Sequence, residues 1–532
     1  MQPWDHLRPV ERINQNYATF DRLVKVAESY FEKRQYEHAA AYTQVAADFA
    51  WYNHPGLFSS ARLEKLLLDI RASLKFPSIS SRKQSLPKQI LHVMTQAYPV
   101  GGHTRLVGNW IEKDTTHKHS LVLTRQRQLP LPETLQRIPR LEIQLLDEKR
   151  GGLLNRAKRL RELSAGFDLV VLHIHPYDVV PTLAFAHDQS VPPVVFLQHA
   201  DIVFYLGTNV GDLVAHVREE SLEVSRRRRG IDPARSFVMP IPLQLKSRKS
   251  SRAEAKSKLG IDPSRTVLLT VASEYKFANP GGVTYVEVIT PVLEAHPNAE
   301  LFVVGPRELL EWSTAAERVG GRIHALGVID DPTSYYEAAD IYLNSFPVGA
   351  LTSLLEAGSY ELPLVSYQQF SDEYTLLRCS DPALKETLMI ETELEQYRST
   401  LSGLIDDLER RESLGRQTRA AIVDLHAGEG WYRKLEELYQ RATSATKLTA
   451  MYPVESEREL SEEDKGVIWM NNSIIPPDID DTEHLRLLPA RQRVEKWNRL
   501  GRKEWRLLLP ESVGTHNEKL AQRLWRSLRL RG

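Results

Sequence analysis

DIYLNSFPVGALTSLLEAGSYELPLVS, residues 340–366, decides how the chain is read. A short apolar strand ends at Asn344, a Pro-Val-Gly turn (Pro347–Gly349) follows, and a helix opens near Ala350. Gly358 and Pro363 suit the close packing of that helix and its exit into the next β-branched run. A strand, a tight turn and a helix in this order leave unpaired helix N–H groups beside the carboxyl end of the strand. Gly349 lets the backbone approach a ligand, and the N–H groups of Ala350, Leu351, Thr352 and Ser353 sit at a positive helix end suited to phosphates. Glu356 stands one turn deeper, placed to accept hydrogen bonds from ribose hydroxyls.

Outward from this stretch the same alternation repeats. TVLLTVAS, AELFVVG, RIHALG, DIYLNS and LPLVSY form one series of short β-branched runs with helical patterns between them; ILHVMTQ, HSLVLT, DLVVLHIH and PPVVFLQ form an earlier one. Such a pattern predicts parallel sheets covered by helices. The expected fold class is α/β: two Rossmann-like domains facing across a cleft, with an N-terminal helical segment and a charged C-terminal extension. The boundaries read as a helical region over 1–85, a first Rossmann-like domain over 86–244, a second over 245–445 and an extension over 446–532. Leu245–Lys258, rich in Lys, Ser and Arg, reads as the polar linker between the halves. In the helical region Phe20, Leu23, Val24, Ala27 and Tyr30 fall on one helix face. The second run, Ala39 to Trp51, is rich in alanine and resembles half of a tetratricopeptide unit without further copies, and the region reads as a cap packed on the next domain or a partner-binding module.

Three further loops follow strand ends, where ligands gather in this architecture. Gln96–Trp110 contains the pair Gly101 and Gly102 and starts a helix near His103. His199 and Asp201 lie just past PPVVFLQ, and either His103, His199 or Asp201 can serve as a base, imidazole titrating close to neutral pH. His173 and His175, alternating on their strand, read as structural residues or as ligands. Lys276, in VASEYKFANPGG, supplies a point charge able to hold a diphosphate and stabilise it as it leaves. Gly305, at the end of AELFVVG, joins Gly101, Gly102, Lys276, Gly349, Ala350, Leu351, Thr352, Ser353 and Glu356 in the donor-binding set. No histidine spacing suits a metal, and the single cysteine, Cys379, gives no internal disulfide and suits a reducing compartment.

Overall charge is balanced, 69 basic against 69 acidic residues in 532, which gives no electrostatic case for nucleic acid. The balance hides an asymmetry. Residues 455–483 hold ten acids and two bases, residues 486–532 thirteen bases and four acids. The two blocks pair with each other or with the body. NEKLAQRLWRSLRLRG (Asn517–Gly532) reads as a basic amphipathic helix for a protein partner or an anionic membrane surface. No signal peptide and no 18-residue apolar run is present in the sequence given, so the expected location is cytoplasmic, with peripheral contact at the inner face of the membrane through that helix.

Gly349, Glu356, Ala357 and Pro363, with the Gly-rich first loop at Gly101 and Gly102, make the chain resemble the GT-B glycosyltransferases, in particular the large family-four-like group. The run FP-x-G-x-x-TS-x-x-EA and EYKF around Lys276 are similar to the O-linked N-acetylglucosamine transferase group. The resemblance covers roughly residues 88–445. It implies a metal-independent, cofactor-free transferase that moves a sugar from a nucleotide-diphosphate donor, UDP-linked, to a hydroxyl of a surface polysaccharide, a lipid-linked glycan or a protein, with Lys276 on the donor diphosphate. The first glutamate of the family-four signature is replaced by Val348, which argues against the retaining sugar contact and towards inversion with His103, His199 or Asp201 as base. The competing expectation is a non-catalytic sugar-nucleotide-binding scaffold that uses its helical ends to bind partners.

Overall fold

The computed structural model describes residues 8–76, 78–79, 86–99, 102–127, 129–279, 282–307, 310–369, 381–449, 458, 460–473, 484–500 and 505–518. Gly101, Cys379 and residues 519–532 of the basic segment lie outside them.

Two wholly parallel sheets organise the chain. The first has seven strands: β1 (Gln89–Met94), β2 (Lys118–Leu123), β3 (Glu142–Leu145), β4 (Leu169–His173), β5 (Val194–Gln198), β6 (Leu213–His216) and β7 (Ser236–Val238), in the order β3-β2-β1-β4-β5-β6-β7. The second has six: β8 (Thr266–Val271), β9 (Ala299–Val304), β10 (Ile323–Ala325), β11 (Ile341–Leu343), β12 (Leu364–Tyr367) and β13 (Leu388–Glu391), in the order β10-β9-β8-β11-β12-β13. Strands buried on both faces read as unbroken apolar runs, as β4 and β5 do: every residue of each is buried. In each sheet the strand order reverses once, between β1 and β4 and between β8 and β11, and an open parallel sheet gathers its ligand loops at such a point.

Helices Pro9–Glu32, Tyr36–Tyr52 and Ala61–Ala72 cover one face of the first sheet, with Phe20, Val24, Ala27 and the alanines of the second helix packed towards Leu91, Val93, Val170 and Leu172. Small alanines allow the close approach, so these helices add to the core of the first lobe. On the other face, helix Gly102–Lys113 shares a core with Trp431, Leu435, Leu438 and Tyr439 of helix Glu429–Ser444. The last helix of the 245–445 segment therefore packs on the first lobe, not the second, because its wide apolar face is complementary to Trp110; the two indole rings meet edge to face at 6.3 Å. The stretch read as a polar linker also differs from expectation. It contains helix Arg252–Lys258, closed by a Ser251/Glu254 capping box, and Lys256 is buried with its ammonium 2.7 Å from Asp340.

The acidic and basic C-terminal blocks dock onto the body. Asp464, on helix Glu462–Ser473, accepts from Arg228 at 2.9 Å and meets His54 at 2.7 Å. Glu511 receives Arg125 at 2.7 and 2.8 Å and Arg156 at 2.8 Å, all three side chains buried. Arg486 pairs with Glu518 inside the basic block itself. Among the described residues no helix is long and apolar enough to cross a membrane.

Candidate active site

The carboxyl ends of β1, β4, β5, β8, β9 and β11, with the loops and helices that follow them, carry the described site residues singled out from the sequence. On the second lobe, Lys276 sits on the short 3-10 turn Glu274–Phe277 after β8, and its ammonium donates to the carbonyl of Gly349 at 2.8 Å. Helix Leu351–Ser359 begins two residues later. The lysine charge and the amino end of that helix are thus adjacent, although they lie 73 residues apart. One expected donor is already engaged: the N–H of Ala350 donates to Asn344 Oδ1 at 3.0 Å, because Ala350 is the residue preceding the helix and needs a partner from the strand end. The orphan amides belong to Leu351, Thr352 and Ser353, the first three helical residues.

Helix Gly102–Lys113 brings a second amino end to the same place from the first lobe. A Cβ on Gly102 would stand 3.3 Å from Thr352 Oγ1, so the backbone of one lobe comes close to a side chain of the other. One turn on, Arg105 reaches across to Glu356 at 3.9 Å. Burial raises the pKa of Glu356, opposed by Arg105 and Lys246. Two helix amino ends and a lysine therefore converge, each favouring negative charge.

Gly305 holds the floor beneath Lys276. Its φ is +126°, and a Cβ would fall 1.7 Å from the carbonyl oxygen of Ala272, four residues before the lysine. Val348, at the place of the missing glutamate, is half-buried against a cluster that contains Phe58, Val203, Trp469 and Met470. Helical region, first lobe and C-terminal extension all contribute to this wall. The sequence gives no sign of it, since its members are up to 412 residues apart in the chain.

The imidazoles form the opposite side. His103 and His199 stack with ring centres 3.8 Å apart and planes within 8°. His103 Nε2 and His199 Nδ1 are enclosed with no hydrogen-bond partner among the described residues. Burial lowers both, His103 well below the usual imidazole value and His199 to about 4, with the neighbouring His199 pressing His103 further. Stacked this closely, the pair holds at most one proton, and each ring offers a bare lone pair at neutral pH. Asp201 is placed differently. Its carboxylate accepts from Arg218 Nε at 2.6 Å and from Ser221, and despite the upward push of burial Arg218 holds its pKa down. His175 stacks on Tyr98 with planes within 3° and contacts Tyr177. Arg105, Asn344 and Tyr98 complete the site. Asn344 lies within residues 340–366 and Tyr98 and Arg105 within Gln96–Trp110, the stretches singled out from the sequence, but none of the three was read as a site residue.

Buried histidines make the fold acid-sensitive. His173, His175 and His216 are lowered to about 3, His199 to about 4, and His92 and His103 also fall, burial being the first cause in each. These groups are neutral when folded and take up protons on unfolding near pH 5, so the unfolded state binds more protons and stability rises with pH. The folded protein is expected to keep full stability above about pH 7 and to lose it steeply between about 6.5 and 4. Calorimetric melting at half-unit steps reads this; a melting temperature flat from pH 7 to 5 contradicts it.

The chain shares its architecture with solved structures at low identity. It superposes on Anabaena HepE crystallised with UDP with a TM-score of 0.51 and 15% identity, over 66% of this chain and 99% of that one. The HepE complex with UDP and glucose gives 0.50 and 14%, over 66% and 98%. A glycosyltransferase from Rickettsia africae gives 0.51 and 13%, over 68% and 100%. The chain has the GT-B fold. No protein-family profile and no curated protein matches the sequence. At these identities the GT-B likeness fixes the arrangement of the two sheets and leaves chemistry to the residues in the cleft.

Proposed function

We propose that the protein transfers a sugar from a nucleoside-diphosphate donor, a UDP-sugar, to a hydroxyl acceptor. The observation that carries this reading is the meeting of Lys276 and the amino ends of helices Leu351–Ser359 and Gly102–Lys113 at the crossover points of two parallel sheets. Lys276 and the amides of Leu351, Thr352 and Ser353 hold the diphosphate, with Gly102, Gly305 and Gly349 giving room for backbone approach. Glu356, beside Arg105, takes the ribose. Neutralising the departing diphosphate and holding the acceptor in a closed cleft supply most of the rate, and the lysine and helix ends provide that charge without a metal.

His199 acts as the base, with His103 stacked on it and Asp201 positioning the loop through Arg218. A base opposite the leaving group gives inversion at the sugar carbon, in keeping with Val348 where a carboxylate would face the sugar. The acceptor is a surface polysaccharide, a lipid-linked glycan or a protein, met in the cytoplasm, and the basic segment Asn517–Gly532 brings the enzyme to the inner membrane face or to a protein partner.

Val348 also supports the second reading, a sugar-nucleotide-binding scaffold without turnover. A melting-temperature screen against UDP, GDP, ADP and dTDP separates the cases, since a ligand bound by the native state raises the transition. UDP is expected to raise it by several degrees, and UDP-sugar to be hydrolysed slowly without acceptor. UDP binding with no turnover of any donor selects the scaffold; no shift with any nucleotide removes both.

A further inference from the structure

The apolar wall around Val348 has a half-buried rim beside the groups assigned to donor and base. Its interior, which includes Phe58, Trp469 and Met470, is buried. Four side chains pack on that interior and keep part of their surface open: Trp51 from the helical region, Ala200 and Ile202 from the loop after β5, and Val348 from the turn after β11. Val348 precedes Gly349, whose carbonyl accepts from Lys276 at 2.8 Å, and Ala200 follows His199, which stacks on His103. The Trp51 ring lies 5.8 Å from that of His175, itself 5.9 Å from His103.

In the transferase reading the reacting sugar carbon sits between the departing diphosphate, at Lys276, and the base, at His199. The rim borders that interval, because Val348 at one end and Ala200 at the other pack on the same cluster. One edge of the donor sugar therefore runs along apolar side chains. Hydrogen bonds hold the rim in place. The Ser345 hydroxyl donates to the Val348 carbonyl at 2.9 Å, Arg229 to the Val203 carbonyl at 2.8 Å, and Asn471 to the Trp51 carbonyl at 3.3 Å. Asp201, the one ionisable side chain between His199 and Tyr205, is engaged by Arg218 at 2.6 Å. The four rim side chains offer a sugar carbon and a single indole N–H. A hydroxyl laid against them gives up water for at most that one group, which costs free energy, whereas a methyl group in the same place is stabilised by leaving water.

We propose that this rim selects donor sugars that carry a methyl-bearing substituent in place of a hydroxyl, an inference that rests on the nucleotide-sugar reading of the cleft. Two chemistries present such a group: the acetamido arm of an N-acetylhexosamine and the methyl end of a 6-deoxyhexose. Val348 then does more than remove a carboxylate. It replaces a group that would hold a sugar hydroxyl by one that disfavours it. Trp51 on the rim, with Trp469 and Met470 behind it, gives the helical region and the C-terminal extension a part in choosing the donor. Trp51, Ile202 and Val348 are specificity-determining residues here; they carry no charge and move no proton.

The test is titration calorimetry on the full-length protein, with UDP-N-acetylglucosamine and UDP-6-deoxyglucose each compared with UDP-glucose, and with UDP alone. At least one methyl-bearing donor is expected to bind about tenfold more tightly than UDP-glucose, the size of effect that one small apolar group has in an apolar pocket, and the tighter of the two identifies the substituent. Val348→Thr, which keeps the shape of the side chain and adds a hydroxyl, is expected to bring that ratio to within about threefold of unity. Ile202→Thr is expected to lower it in the same direction, so the inference does not depend on one variant folding. Each ratio is taken within one protein, and a general loss of affinity does not imitate the effect. Methyl-bearing donors no tighter than UDP-glucose, or a preference that survives intact in both variants, overturns the selection and leaves the rim to lobe packing or to an apolar acceptor. Failure of the transferase reading looks different. A parent that prefers a methyl-bearing donor but turns none over is a selective binder, which upholds this inference without the transferase. A parent that binds no UDP overturns the nucleotide reading and the selection together.

Discussion

Lys276→Ala lowers turnover of a UDP-sugar about 100-fold, roughly 2.7 kcal/mol of lost transition-state stabilisation, while the melting temperature stays within about a degree of the parent. The magnitude follows from where the ammonium stands. It is half-buried, anchored 2.8 Å from the Gly349 carbonyl and next to the amides of helix Leu351–Ser359. A cation held in place meets charge that develops on the leaving diphosphate without first reorganising, and reduced access of water strengthens the interaction. Because that charge is largest in the transition state, kcat falls more than KM rises. Lys276→Arg is expected to restore little, since a planar guanidinium does not fit a site shaped for a compact ammonium at a carbonyl. Steady-state hydrolysis and calorimetry check both; equal turnover in Lys276→Ala and parent removes the lysine from the mechanism.

Gly305→Ala is expected to cost about 3 kcal/mol or more in the second lobe and to weaken nucleotide binding at the same time. Two penalties act together. A φ of +126° lies where side chains are rarely found, and the new Cβ would coincide with the Ala272 carbonyl oxygen at 1.7 Å. Neither partner moves freely. Gly305 N–H is tied to Gly327 at 2.7 Å, and Ala272 N–H to Val304 at 3.0 Å. The segment that must shift leads into Ser273, whose carbonyl accepts from the Lys276 N–H at 2.9 Å, so the lysine moves with it. The expected signature is a lower melting temperature together with a smaller stabilisation by UDP. A variant as stable as the parent, with an unchanged nucleotide shift, contradicts this account of the loop.

Much of this site was legible in the sequence because its parts are local. Asp340–Ser366 declares a strand, turn and helix through its own residues, and β1, β2, β4, β5, β8, β9, β10, β11 and β12 all stand where apolar runs were read. Four strands escaped, β7 of three residues and β3, β6 and β13 of four each; β10 and β11 are as short, but they sit inside the longer runs RIHALG and DIYLNS. The linker was misread because a helix held by a capping box and one buried lysine looks polar throughout; nothing local announces that Asp340 will receive Lys256. The same limit applies to the site. Gly102 and Lys276 were singled out by position and by the family resemblance, but the contact of Gly102 with Thr352, the Arg105–Glu356 pair and the wall around Val348 depend on how two lobes meet.

The central claim is that the cleft grips a pyrophosphate, and comparing UDP with uridine isolates that grip. Titration calorimetry on the parent protein and on Lys276→Met is the direct measurement. The account predicts that the parent binds UDP at least about 100-fold more tightly than uridine, close to 2.7 kcal/mol, and that Lys276→Met loses most of this difference while its uridine affinity is unchanged. Equal affinity of the parent for UDP and uridine, or a difference that survives intact in Lys276→Met, would contradict it.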